Sequence, residues 1–272
     1  MYSNWQLAQK YLRYYFISSN GKGHGTHSPF IFHFITKVLN DKQHYPEYDK
    51  IEKLRRQLQN DNTVLYVKDF GAGSSFNKAN LPAGQVGQRK ISAIAKKSVK
   101  PKKYGQLLFR MVKEYQPETI LELGTSLGIT TSYLSLANPA AKLITMEGAS
   151  EVAAVAEKNF KELGIKNITI EPGNFDNTLA AAIGHLSTVN FVFIDGNHRQ
   201  EPTEKYFLEL LAKINNDSIL VFDDIHWSSE MEKAWGTIKA HPSVRCTIDL
   251  FYIGIVLFRP EFREKQHFII RF

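Results

Sequence analysis

The stretch Thr119–Ala137, TILELGTSLGITTSYLSLA, constrains this chain more than any other. Ile120, Leu121 and Leu123 form the apolar run of a buried strand. Gly124 and Gly128 then frame a turn, and Ile129, Tyr133, Leu134 and Leu136 carry a helical pattern. A strand, a glycine turn and a helix make a place for a ligand. The turn lets backbone approach the ligand, and the helix N-terminus points unpaired N–H groups at it. Glu122, just before the turn, is an acceptor for a cationic or hydroxylated group. A nicotinamide dinucleotide calls for G-x-G-x-x-G at this place. The turn here is GTSLG, with one wide glycine spacing, which favours a ligand without a pyrophosphate. The bland alternative is that any parallel α/β sheet needs glycines at its strand–helix turns.

From Lys102 onward the pattern is regular. Helices are expected at 104–115, 150–163, 176–183, 201–214 and 229–240. Strands are expected at 120–123, 142–146, 168–171, 190–194 and 218–222. Strands that alternate with helices imply a parallel sheet with right-handed crossovers. The last two strands, 245–249 and 253–258, are joined by a connection too short for a crossover, so they pair antiparallel. KQHFIIRF at the end is a candidate edge strand. The expected fold is a doubly wound, Rossmann-like α/β domain over residues 101–272. Its sheet is mostly parallel and seven-stranded, with an antiparallel last strand. Residues 1–100 form an N-terminal helical cap.

Within that cap, residues 4–17 read as an amphipathic helix, and Ser28-Pro29 starts a helix over PFIFHFITKVL. Residues 46–60 read as a charged helix. Thr63–Phe70 alternates as a strand running into DFGAGS, a second glycine turn. No acid-ended strand follows it, so it is assigned to the cap. RKISAIAKKS reads as a basic helix. The loop SSNGKGHGTH offers His24 and His27, with His33 beyond it, but no carboxylate or thiolate cluster to complete a metal site. This loop and DFGAGS are expected to close over the carboxyl ends of the strands near Asp195 and Asp223. A remote domain making homodimer contacts is the open alternative.

In open α/β sheets ligands bind beyond the carboxyl ends of the strands. Glu122, Glu147, Asp195 and the pair Asp223-Asp224 all stand at such ends. Glu147 and Gly148 end the second strand, where a carboxylate accepts both hydroxyls of a ribose. Asn174 and Phe175 follow the third, where an amide and a ring border an adenine. Asp195, Asp223 and Asp224 would converge, and three like charges in one volume repel. A hard cation such as Mg²⁺ resolves that repulsion. His198, three residues past Asp195, is placed to take a proton near neutral pH. The competing reading is that Asp223 caps the following turn and Asp224 pairs with a basic side chain.

These residues resemble a class I S-adenosylmethionine-dependent methyltransferase, most of all the catechol and caffeoyl-CoA type of small-molecule O-methyltransferase. The resemblance covers residues from about Tyr104 to Trp227. It rests on Gly105-Gln106-Leu107-Leu108, on Leu121-Glu122-Leu123-Gly124-Thr125 with Gly128, and on Phe193-Ile194-Asp195. It implies that Glu122, Gly124, Thr125 and Gly128 border the methionine end of the cofactor. It places Glu147 and Gly148 on the ribose, Asn174 and Phe175 beside the adenine, and Asp195 near both cofactor and metal. The family's Asp-Asn metal pair falls on Asp223-Asp224, and its lysine base falls on His198.

Composition bounds the remaining choices. The 272 residues hold 43% apolar and 22% charged residues, an ordinary globular balance. No apolar run approaches the roughly 18 residues of a membrane span. The single Cys246 excludes an internal disulfide, and a reducing cytoplasm is the expected setting. The net charge of +7 permits nucleic-acid contact without requiring it. Arg89, Lys90, Lys96, Lys97, Lys100 and Lys102 are the tract that would carry such contact. A nucleic-acid binder or base methyltransferase is therefore the alternative to an enzyme acting on a small-molecule acceptor.

Overall fold

The structure is a computed structural model that describes residues 1–19, 21–23, 27–68 and 86–272. In chain order its elements are α1 (Asn4–Ile17), α2 (Pro29–His33), a π-helical turn (Phe34–Leu39), α3 (Pro46–Asn60), β1 (Val64–Lys68), β2 (Val86–Lys90), α4 (Ile91–Lys97) and α5 (Lys102–Tyr115). Then come β3 (Thr119–Leu123), α6 (Ile129–Ala137), β4 (Lys142–Glu147), α7 (Ser150–Glu162), β5 (Ile168–Pro172) and α8 (Phe175–Gly184). The last are β6 (Phe191–Ile194), α9 (Gln200–Leu211), β7 (Ile219–Asp223), α10 (Ser229–Ala240), β8 (Cys246–Asp249), β9 (Ile253–Leu257) and β10 (Gln266–Ile269). Among the described residues the strands from β3 onward number eight, because the C-terminal segment adds β10 to the seven expected. The chain divides into two compact units, Asp41–Ala182 and Met1–Asn40 with Ile183–Phe272.

That division does not fall at residue 100. In the unit Asp41–Ala182, α3 buries Tyr48, Ile51, Leu54 and Leu58. The Tyr133 hydroxyl on α6 donates to Glu52 Oε1 at 2.8 Å, and Arg55 Nε donates to the same oxygen at 2.9 Å. Gly105 lets α5 approach α6, since a Cβ there would meet the Tyr133 ring at 2.7 Å. The helix at 46–60 is thus part of this unit's core. Strands β3, β4 and β5 lie parallel in that order, with Leu123 level with Met146 and Glu147 level with Pro172. Their carboxyl ends therefore form one edge.

Residues 86–90 are a strand, where the sequence reads as loop and the start of a basic helix. β2 pairs antiparallel with β1, from Val64 opposite Lys90 to Lys68 opposite Val86. Gly87 and two cations weaken the strand pattern, and pairing with β1 overrides it. The basic tract is spread over the end of β2, the last turn of α4 and the start of α5. Lys96 and Lys97 stand in the last turn of α4, where cations complement the helix dipole.

In the other unit the strand order is β10-β8-β9-β7-β6. β6 and β7 are parallel, β9 is antiparallel to both β7 and β8, and β10 is parallel to β8. Ser28 caps α2 through Ile31 N–H at 3.3 Å, as its sequence signals. The expected single helix over 29–39 changes at Phe34 into the π-helical turn, which ends where Asn40 N–H donates to Ile35 O.

Helix α1 is fixed by polar bonds to this unit. The Tyr14 hydroxyl donates to Ile270 O. Glu232 accepts from the Tyr2 hydroxyl at 2.7 Å and from Lys10 Nζ at 2.9 Å. His226 lies between Glu232 Oε1, 3.0 Å from Nδ1, and Asp249 Oδ2, 2.8 Å from Nε2. Burial opposes a charge on His226, but bonding and attraction to Asp249 and then Glu232 outweigh it and hold its pKa above the ordinary value. The protonated form is therefore favoured by folding. Its contribution is complete below the unfolded-state pKa and is lost as pH rises through the raised folded value. The thermal midpoint of the wild type is expected to fall across that window. A His226→Gln variant should be less stable at about pH 6 and should show a flatter profile in thermal melts followed by circular dichroism.

Candidate functional site

The turn after β3 is built by hydrogen bonds to β4 and α7. Gly124 N–H and Thr125 N–H both donate to Met146 O at 3.0 Å. Asn159 Nδ2 holds Leu127 O at 2.9 Å. Gly124 has φ 112° and Gly128 has φ 79°, backbone that favours glycine. A Cβ on Gly128 would stand 2.5 Å from Phe160 Cε1.

Glu122 is fully buried beneath this turn. Its Oε2 accepts from the hydroxyls of Thr131 at 2.5 Å and Thr145 at 2.6 Å, and Thr125 Oγ1 is 2.6 Å from Thr145 Oγ1. These bonds tie β3, β4 and α6 together. Sequence reasoning gave Glu122 a ligand-facing role and missed Thr131 and Thr145. The signal was present in the run of hydroxyls Thr130, Thr131 and Ser132 inside an otherwise apolar helix.

Glu147 is half-buried at the end of β4. Its Oε2 accepts from Ser126 N–H at 2.8 Å and its Oε1 from Ala149 N–H at 2.9 Å. Each oxygen has a second lone pair, so the carboxylate can also accept a vicinal diol. Gly148 follows it. Gly173 N–H donates to Glu147 O at 2.9 Å, bringing the end of β5 against the end of β4. Asn174 Oδ1 accepts from Asp176 N–H at 3.2 Å, capping the start of α8, and Phe175 is the first residue of that helix. The unit Asp41–Ala182 thus holds Glu147, the glycine turn and Asn174-Phe175 along one edge.

The other unit holds a second cluster. Ligand atoms of Asp195, His198 and Asp223 all lie within 4.8 Å of one another. His198 Nε2 is 3.4 Å from Asp195 Oδ1. Asp223 is buried, while Asp195 and His198 are half-buried. Asp224 is not in this group. Its φ of 54° turns the chain at that point, and its carbonyl accepts from Trp227 N–H at 2.9 Å. Of the three expected aspartates, Asp195 and Asp223 lie in this group, together with His198. Asn197 and His198 also have left-handed backbone, φ 67° and 48°. Such backbone costs roughly 1–2 kcal/mol per residue. It is held by Asn197 Nδ2 donating to the buried Tyr206 hydroxyl at 3.0 Å and by Arg199 Nε donating to Asn197 Oδ1 at 2.7 Å.

Trp227, absent from the sequence expectations, stands beside this cluster with its ring 5.6 Å from that of His198. Tyr2 N–H donates to Trp227 O at 3.1 Å, so the N-terminal segment does reach the loop after β7. The loop expected to cover Asp195 and Asp223 lies elsewhere in its described part. Ser19 bridges to Ile270, and Asn40 Nδ2 donates to Gly21 O at 2.5 Å, beside the end of β10. β10 is three strands from β7. His24 and the DFGAGS turn lie outside the described residues. His27 and His33 belong to no three-residue metal-type cluster among the described residues.

Residues 121–225 match a family model described as a methyltransferase domain. A transmembrane O-methyltransferase homolog of Rattus norvegicus is 41% identical over 68 residues, 25% of this chain and 26% of that protein. A catechol O-methyltransferase of Niastella koreensis is 30% identical over 131 residues, 47% of this chain and 58% of that protein. The matched stretches span about a quarter of the first relative and little more than half of the second. The solved structure of an SAH-bound Podospora anserina methyltransferase superposes with a TM-score of 0.58 at 12% identity, covering 95% of this chain and 98% of that one. The fold is that of the class I S-adenosylmethionine-dependent methyltransferases. No helix among the described residues is long and apolar enough to cross a membrane.

Replacing Gly128 by alanine is expected to lower stability by about 1–3 kcal/mol, measured by denaturant unfolding, because it combines left-handed strain with the contact to Phe160.

Proposed function

We propose that this chain binds S-adenosylmethionine through the unit Asp41–Ala182 and transfers its methyl group to a hydroxyl of a small-molecule acceptor, with Asp195, His198 and Asp223 as the acceptor chemistry. The observation that carries this reading is the convergence of an imidazole and two carboxylates after β6 and β7 in a chain with a methyltransferase domain. Glu147 is the ribose acceptor in this proposal, because it ends β4 with both oxygens already oriented by backbone N–H groups. The glycine turn borders the methionine end, and Asn174 and Phe175 flank the adenine.

The sulfonium of the cofactor makes the methyl carbon electrophilic, so the protein must align the acceptor and remove its proton. The acceptor oxygen forms the new bond to carbon. The electrons of the broken S–C bond stay on sulfur and leave S-adenosylhomocysteine. The hydroxyl proton goes to the His198 imidazole, and Asp195, 3.4 Å from its Nε2, stabilises the imidazolium that forms. Trp227 supplies an apolar wall beside that imidazole.

The donor set also bears on a metal. Two carboxylates and one imidazole nitrogen within 4.8 Å fit a divalent cation. Mg²⁺ prefers oxygen ligands, whereas Mn²⁺, Fe²⁺ and Zn²⁺ accept imidazole, so the set favours a first-row transition ion over Mg²⁺. Asp195, Asp223 and His198 would hold it, and His198 would then be a ligand rather than the base. A bound divalent ion makes a coordinated hydroxyl more acidic.

Calorimetric titration with S-adenosylhomocysteine tests the cofactor half. Saturable binding is expected, weakened roughly ten- to hundredfold in Glu147→Ala, and heat-silent titration of folded protein would refute the assignment. Asp223→Asn and His198→Ala should keep cofactor binding while cutting methyl transfer to an assayed hydroxylated acceptor roughly a hundredfold or more. Titration with Mn²⁺ followed by electron paramagnetic resonance should show one site, lost in Asp223→Asn. Full transfer by His198→Ala, with or without chelator, would remove His198 from the mechanism.

A further inference from the structure

Helix α1 has two opposite faces. Tyr11 and Tyr14 meet the Phe251 ring at 5.1 and 5.3 Å, Lys10 reaches Glu232, and Tyr14 is buried. The outward face carries Trp5, Leu12 and Phe16, which are 71%, 56% and 79% exposed. At about 100° per residue these three lie within roughly 20° of one line, along about 17 Å of helix. Tyr15 and Ile17 at its end are exposed as well. Isolated exposed apolar residues are ordinary, but several aligned along one helix face mark an interaction surface.

The charge around the stripe identifies the partner. The first forty residues contain no aspartate or glutamate, against Lys10, Arg13, Lys22 and Lys37. Lys10 is engaged inward by Glu232, whereas Arg13 and Lys22 are exposed. The Arg271 guanidinium lies 3.7 Å over the Tyr15 ring, at the end of the same helix. A hydrophobic stripe on a segment whose own charged side chains are all cationic suits the boundary of an anionic bilayer. There the apolar side chains enter the headgroup region and the cations meet lipid phosphate and carboxylate. A second copy of this basic chain would bring like-charged rims together. We infer that the outer face of α1 docks on an anionic phospholipid surface, in the plane of the interface and without spanning it.

The inference stands apart from methyl transfer and is tested without it. The 272-residue chain is sedimented with vesicles of phosphatidylcholine alone or with about 30% phosphatidylserine, at low and physiological salt. The expected result is at least tenfold stronger binding to the anionic vesicles, weakened by salt, with a blue shift of tryptophan emission as Trp5 leaves water. The triple variant Trp5→Ser, Leu12→Ser, Phe16→Ser should lose at least tenfold in binding. These side chains face outward, so its thermal midpoint should match the wild type. The single variant Arg13→Glu should bind several-fold more weakly and provides a second readout if the triple variant misfolds. Absence of binding at low salt, equal binding to both vesicle types, or unchanged binding by a folded triple variant would overturn the inference. So would a wild-type dimer in light scattering that becomes monomeric in the triple variant with no vesicle binding, because a second copy would then be what covers the face.

Discussion

The bonding of Glu122 is the constraint on which the glycine turn depends. A carboxylate buried without partners carries a penalty of several kcal/mol. Here two hydroxyls, from Thr131 on α6 and Thr145 on β4, meet one of its oxygens. Each threonine is fixed by its own element, so satisfying the charge fixes β3, β4 and the start of α6 relative to one another. The turn from Gly124 to Gly128 is spanned between those fixed points. Its shape is therefore set before any ligand arrives, which lowers the ordering cost of binding. Glu147 extends the arrangement, since its carboxylate takes the Ser126 N–H from the middle of the turn.

The same physics organises the other unit. His226 bridges Glu232 and Asp249, and Glu232 also gathers Tyr2 and Lys10 from the N-terminal segment. His226 is three residues beyond Asp223 and adjacent to Trp227, so the clamp fixes the loop that follows β7. The first residues of the chain are thereby part of the support of this cluster. The N-terminal segment, which reads as part of a cap, is bonded through Tyr2 to the loop after β7.

The regular part of the fold was legible because its signals are local. Apolar runs such as Phe191–Ile194 and Ile219–Phe222 end at acids, so the strands and their ends could be read from the sequence. What escaped depends on distant partners. β2 contains Gly87, Gln88, Arg89 and Lys90, which give no strand signal until β1 lies beside them. The division into units followed from Glu52 meeting Tyr133 and Glu232 meeting Lys10, pairs separated by 81 and 222 positions. Neither pairing leaves a periodic trace.

The exchange of Asp224 for His198 shows a subtler limit. In sequence, Asp224 adjoins Asp223 and reads as part of the same group. Neighbours on an extended strand point to opposite sides, and a residue just past the strand goes where the backbone turns. At Asp224 the chain enters the left-handed region, and its carbonyl closes a turn to Trp227. After β6 the left-handed pair Asn197-His198 brings an imidazole toward Asp195. The grouping of Asp195, His198 and Asp223 is decided by two backbone reversals, each stabilised by bonds to residues further along the chain. Residue type marked the strand ends where acids stand. Backbone direction, held by bonds to Tyr206, Arg199 and Trp227, selected which side chains at those ends lie together.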